Sequence, residues 1–301
     1  MDAAKVSMTT RNDWIRRARR WTMAIAVIVT LLAVCTPWVP TGSGLSGNGT
    51  GATCCIVAVF LAALVCEFVD SSLGMGYGTT LTPLLLLAGF EPLQLVPCVL
   101  LSELVTGLFA GVMHHRDGNV NLFQDRLAQR TAVSLCLLST VGAVAAVVIA
   151  VHVPKTLLRG GIAGIIILAG LIALASSRRT LPYRRSRLLG VGLAAAFSKG
   201  LSGGGYGPLT TAGQVASGLP PKSAVAITSF AEALTCFVGL TAYFVMGAPL
   251  DWALALVLTL GASLSVPMAT LTVKTFPETL FRGMIGGTAC LLGVLTLVRL
   301  F

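Results

Sequence analysis

Runs of about twenty consecutive apolar residues recur near 21 to 40, 93 to 113, 131 to 153, 157 to 177, 222 to 246, 250 to 273 and 279 to 300. A helix of about 20 residues crosses a hydrocarbon core roughly 30 Å thick, so this pattern predicts seven membrane-spanning helices. Two further apolar stretches behave differently. Residues 53 to 72 and 188 to 202 each run into a glycine-rich interruption, Gly74-Met75-Gly76-Tyr77-Gly78 and Gly203-Gly204-Gly205-Tyr206-Gly207, and resume at 79 to 89 and 208 to 218. Each piece is short for a full crossing, which predicts pairs of broken or re-entrant helices.

The two interruptions lie 129 residues apart, and the same offset without gaps matches Phe68 to Phe197, Gly89 to Gly218, Pro92 to Pro221, Val96 to Val225, Glu103 to Glu232 and Thr106 to Thr235. The chain therefore contains one unit twice. The expected fold is an all-α polytopic membrane protein built from two units, 53–177 and 188–301, each with two short broken or re-entrant helices plus three spans. Counting crossings places the second unit upside down relative to the first, an inverted-topology repeat. Glycines also serve close helix packing in membranes. Two copies with a matched Tyr inside and a matched Glu beyond fit the broken helices of secondary transporters better.

Composition agrees with the pattern: 55 % of residues are hydrophobic and 11 % charged, too little polar surface for a soluble domain of this size. The net charge of +10 sits in short clusters beside the spans, so it reports orientation rather than nucleic-acid binding. Arg11, Arg16, Arg17, Arg19 and Arg20 fall in a basic arm, 1–20, before a signal-anchor helix at 21–40. Arg178, Arg179, Arg184, Arg185 and Arg187 crowd the linker 178–187. Both clusters are expected in the cytoplasm, with the amino terminus, and the carboxy terminus outside a cell membrane. Residues 41–52 then form an external loop with a sequon at Asn48-Gly49-Thr50. The eight cysteines show no metal-ligand spacing and read as small packing residues, with vicinal Cys54-Cys55 as the exception to watch. No metal or cofactor is expected. The segment from His114 to Arg130 reads as a solvated connection with a short interfacial amphipathic helix.

The Gly-x-Gly-Tyr-Gly runs after Phe68-Val69-Asp70 and Phe197-Ser198-Lys199, the turns at 89 to 92 and 218 to 221, and the two-unit layout resemble the TauE/SafE sulfite exporter family of membrane permeases. The likeness covers the chain from about residue 53 onward. It implies a carrier of sulfite, sulfonates, thiosulfate or related organosulfur anions rather than an enzyme.

Chemistry on the residues points the same way. An unwound glycine segment at membrane depth leaves backbone N–H and C=O groups without helical partners, which is costly unless a cavity or substrate satisfies them. Helices starting after Gly78 and Gly207 would aim their amino termini, with free N–H groups and partial positive charge, at an oxyanion. The candidate substrate-binding residues are Gly74, Gly76, Tyr77, Gly78, Thr79, Gly203, Gly205, Tyr206, Gly207, Thr210 and Lys199, with Thr80 and Thr211 as further hydroxyls. Glu103 and Glu232 each lie ten residues into their spans, about 15 Å deep, where ionisable groups are seldom idle. Each is a candidate for proton coupling or gating, with Asp70. Asp70 and Lys199 occupy equivalent positions, so the two-fold axis brings them together as an ion pair, or else Lys199 serves as the anion's counter-charge. Glu67 faces only Ala196 in the other unit and is expected nearer an interface.

The expected function is a secondary transporter of a small anion, working by alternating access, with proton coupling open. Two rivals stand beside it: a cation permease using Asp70, Glu103 and Glu232, and a membrane thiol-redox protein. Partners are a small anionic substrate, protons if coupling holds, and the lipid bilayer; oligomeric state is open.

Overall fold

The computed structural model of the chain describes residues 50–117, 126–176, 185–216, 221–272, and 287, 290, 291 and 294–298. The basic arm, the signal anchor, the sequon, most of the Arg-rich linker, the amphipathic stretch at 118–125 and much of the last span lie outside them. The described elements are helices: α1 Thr50–Leu73, α2 Tyr77–Leu87, α3 Pro92–Arg116, α4 Arg126–His152, α5 Lys155–Ser176, α6 Arg185–Ser202, α7 Tyr206–Ala216, α8 Pro221–Val245 and α9 Trp252–Thr272. Residues 294–298 are helical too, and no strand occurs among the described residues. Six of these helices are long and apolar enough to cross a membrane.

The repeat carries through the helix boundaries. α1 and α6 end at Leu73 and Ser202, α2 and α7 start at Tyr77 and Tyr206, and α3 and α8 run Pro92–Arg116 and Pro221–Val245, all at the 129-residue offset. The reasons are local. Pro at the first helical position has no N–H to lose and a preset φ, which starts α3 after Glu91. Gly74 (φ 69°), Gly76 (φ 142°), Gly203 (φ 68°) and Gly205 (φ 80°) hold backbone conformations that side-chain-bearing residues avoid, and these stop α1 and α6. Contacts also come in matched pairs. α1 packs on α9 as α6 packs on α4, α3 on α9 as α8 on α4, and α3 meets α8 directly between them.

One expectation needs correcting. The stretch at 53 to 72 is not short: α1 has 24 residues, roughly 36 Å at 1.5 Å per residue, and it counts among the six crossing candidates. The apolar span from Cys54 to Leu73 alone has 20 residues, about 30 Å of helix, which is enough for a crossing. α2 and α7, at 11 residues each, are short as expected.

The outer faces are apolar. On α9, Leu256, Leu260, Leu264, Met268 and Leu271 are 57 to 67 % exposed and recur every three or four positions, a stripe that only lipid would cover without penalty. Inside, small residues let backbones approach. A methyl on Gly142 would lie 2.8 Å from the Leu193 carbonyl oxygen and one on Gly200 2.8 Å from that of Ala143, so α4 and α6 are in near contact; Gly261 against Phe60 does the same for α9 and α1. This is the small-residue packing of membrane helices. It leaves the polar groups in the middle, where the two glycine interruptions cross.

Candidate functional site

The interruptions touch through their backbones. A methyl on Gly78 would collide with the Gly203 carbonyl, and one on Gly207 with Gly74 and Met75. Side chains of each unit then satisfy the other's loosened backbone. Thr211 Oγ1 donates to the Gly74 carbonyl at 2.8 Å, and Gly205 N–H donates to Thr79 Oγ1 at 3.1 Å. Within the second unit, Ser202 Oγ accepts from Gly204 N–H at 3.1 Å and Thr210 Oγ1 donates to the Tyr206 carbonyl at 2.7 Å. Tyr77 and Tyr206 are both fully buried, and Tyr77 Oη shares a 2.8 Å hydrogen bond with Ser102 Oγ.

The helix amino terminus of α2 is not free. Asp70 Oδ1 accepts from Tyr77 N–H at 3.1 Å and Glu103 Oε1 accepts from Gly78 N–H at 3.2 Å. The chain's own carboxylates stand where an oxyanion was expected, and for the same reason: aligned N–H groups and partial positive charge attract anionic oxygen. Glu103 also forms a salt bridge with Lys199 through Oε2, and Lys199 Nζ donates to Glu232 Oε1 at 2.7 Å. Lys199 is fully buried and is the sole buried Lys or Arg among the described side chains.

The expected Asp70–Lys199 pair is thus replaced by a different arrangement. Asp70 is one turn short of the interruption, so its short side chain folds onto the N–H of Tyr77 seven residues on. Lys199, its twin, has no acidic group to cap and reaches with its long stem to the two glutamates. Glu67 also departs from expectation. It is 2 % exposed and lines one cavity with Asp70, Glu103, Thr106, Gly107, Ala110, Ser229 and Glu232. Four carboxyls therefore border one cavity, and two of them, those of Glu103 and Glu232, pair with the Lys199 ammonium, as buried charge requires.

His114 is a third correction. It is buried at the end of α3 rather than solvated, and Nε2 donates to the Ser71 carbonyl at 3.1 Å. Its twin is Tyr243, whose hydroxyl donates to the Gly200 carbonyl at 3.0 Å. Both pairs keep the 129-residue offset, so His114 and Tyr243 do one job, pinning the ends of α3 and α8 to the turns before the glycines. Among the cysteines, Cys54 and Cys55 are not bonded to each other, the first exposed and the second buried. Cys236 Sγ lies 4.0 Å from Glu103 Oε2. No sequence argument had placed it there, although it follows Thr235 in the repeat.

A multi-pass helical membrane protein with a charged, buried centre between two crossed interruptions belongs to the class of membrane carriers. Residues 59–296 match the family model described as Sulfite exporter TauE/SafE, and the chain belongs to that family. It is 28 % identical over 257 residues to the Bacillus subtilis (strain 168) protein named "Probable membrane transporter protein YtnM", covering 81 % of this chain and 83 % of that one. No solved structure matches the chain. The protein is a membrane transporter and not an enzyme.

Proposed function

We propose that this chain carries a small oxyanion across the cell membrane, with sulfite or a related organosulfur anion as substrate, by alternating access of two inverted halves. The observation that carries this reading is the double engagement of Glu103, which holds the Gly78 N–H and the Lys199 ammonium with its two oxygens. Those are the donors an oxyanion needs. A sulfite oxygen arriving at the crossing competes with Glu103 for both, and the interruption at Gly203, Gly205 and Gly207 supplies backbone from the other half. Displaced beside Asp70 and Glu232, the Glu103 carboxyl takes up a proton, which would tie anion movement to proton movement. The family's description and the relative's name support transport and, through the family, sulfite as the first substrate to try.

The matched contacts of α1 with α9 and α6 with α4 support two halves related by a two-fold axis. The basic clusters support a cytoplasmic amino terminus. Asp70, Tyr77, Thr79, Tyr206 and Thr210 shape the site in this reading by holding the interruptions open.

Four carboxyls bordering one cavity favour a second reading, a cation permease using Asp70, Glu103 and Glu232. Proteoliposomes decide between them. Labelled sulfite, thiosulfate, a sulfonate and a small carboxylate are tested for uptake and counterflow with and without a pH gradient, beside sodium and a divalent metal. Movement of an oxyanion supports the proposal; movement of cations alone rejects it.

A further inference from the structure

The charged centre has an extension on one side that the anion cycle does not use. Along α3, Glu103, Thr106, Gly107, Ala110 and His114 recur at helical spacing, and the first four border a cavity of about 10 Å³ that Glu67 of α1 closes from opposite. That is about the room of one water molecule. Two of its polar atoms are buried without a hydrogen-bond partner, Glu67 Oε2 and Thr106 Oγ1. The other oxygen of Glu67 accepts from Ser71 Oγ at 2.6 Å. Glu67 is therefore held in place by one oxygen, with the second left to the small cavity that Glu103, Thr106, Gly107 and Ala110 border; the His114 end of α3 lies about 16 Å from Glu103 along the helix.

We propose that Glu67 is a proton-carrying residue, hydrated through the Thr106–Gly107–Ala110 seam and exchanging protons with the Lys199–Glu103–Glu232 centre from the α3 carboxy-terminal side. The inference rests on the anion-carrier reading for its role in the cycle. The device exists in one half alone. The twins of Glu67 and Ser71 are Ala196 and Gly200, so the second unit has neither the carboxyl nor its hydroxyl, and proton access is one-sided. The titratable groups around Glu67 are Cys66 and Asp70 on its own helix, Tyr77 on α2, Glu103 on α3 and Glu232 on α8; α9, packed along α1, brings none. With the carboxyls of Asp70, Glu103 and Glu232 on the same cavity, a proton reaching Glu67 has acceptors there, and Glu103 and Glu232 in turn hold the Lys199 ammonium. His114 is spent on the Ser71 carbonyl and orients the turn rather than relaying.

The test begins without substrate. Infrared difference spectra of the full chain in lipid nanodiscs, between alkaline and acidic buffer, record carboxyl protonation directly. Wild type shows a protonated-carboxyl band that Glu67→Gln reduces and Glu67→Asp moves in frequency. Spectra identical to wild type in both variants overturn the proposal, and Glu67→Asp keeps the test open if Glu67→Gln fails to fold. In proteoliposomes, Glu67→Gln keeps sulfite counterflow, which needs no net proton movement, and loses acceleration of uptake by a proton gradient. Gradient-driven uptake that survives Glu67→Gln overturns it, as does a wild type indifferent to the gradient or a folded Glu67→Gln that has lost counterflow. If wild type moves none of the tested oxyanions, the anion-carrier reading falls, while the infrared titration still decides whether Glu67 carries a proton.

Discussion

Replacing Lys199 by methionine removes the ammonium while keeping most of the side chain's length and its apolar contacts. Lys199 is fully buried with carboxylates of Glu103 and Glu232 as partners, so two separate consequences follow. For stability, breaking a buried pair leaves uncompensated charge and costs about 3–5 kcal/mol. Against a typical stability of about 5–15 kcal/mol, that can be survived but shows as a lower melting temperature. Lys199→Met combined with Glu103→Gln relieves it, because one unpaired carboxylate goes with the ammonium. For binding, a charge-assisted hydrogen bond contributes about 1.5–3 kcal/mol, or roughly ten- to one-hundred-fold in affinity at 1.36 kcal/mol per factor of ten. The assay is the concentration dependence of labelled sulfite counterflow in proteoliposomes, with monodispersity checked beforehand. Lys199→Met should raise the half-saturating sulfite concentration by that factor. A folded Lys199→Met with the wild-type value refutes the reasoning, and faster movement of sodium or a divalent metal would favour the cation permease.

Other consequences test the frame around the centre. Gly78→Ala drives a methyl into the Gly203 backbone, whereas Gly164→Ala meets nothing within 4 Å; the first should fail to yield a monodisperse protein, and the second should match or exceed wild-type melting because alanine favours a helix by about 0.8–1.0 kcal/mol over glycine. Thr211→Val removes the hydroxyl bonded to the Gly74 carbonyl, and thermal unfolding should register a loss of about 1 kcal/mol. Tyr243→Phe, which deletes the bond to Gly200, should cost a similar ~1 kcal/mol, and His114→Phe on the twin pin should lower melting by a comparable amount if the two residues share one task.

Much of this fold was legible because its punctuation is chemical. Glycines at positive φ and prolines at first helical positions sit at the same offset in both units, so helix ends can be read directly from residue types that tolerate few other places. The place of Glu103 and Glu232 along α3 and α8 is legible for the same reason, since counting from Pro92 and Pro221 locates them. The rest is hidden for a common physical reason, which is that the two units share backbone but not charge. Asp70 and Lys199 are twins in position, yet a carboxylate beside an unwound turn accepts from amide N–H groups on its own chain, while an ammonium has only donors and pairs with the carboxylates of Glu103 and Glu232 instead. Symmetry hides Glu67, whose twin is Ala196, although a buried carboxyl needs no counterpart in the other half to be useful. The apolar run stops at Met113 and so leaves His114 to the connection by pattern alone; its twin, the aromatic donor Tyr243, reveals that a polar tip belongs there. Keeping a residue type does not keep its bond: Thr211 and Thr235 donate to backbone carbonyls, whereas the hydroxyls of their twins Thr82 and Thr106 are buried without a hydrogen-bond partner. Where the units differ, at 67, 70, 71 and 114, the first unit holds acids, a hydroxyl and an imidazole against alanine, lysine, glycine and tyrosine in the second. A carrier whose two halves were chemically identical would have no built-in reason to treat its two sides differently; this one draws its extra carboxyls, Glu67 and Asp70, from the first unit alone.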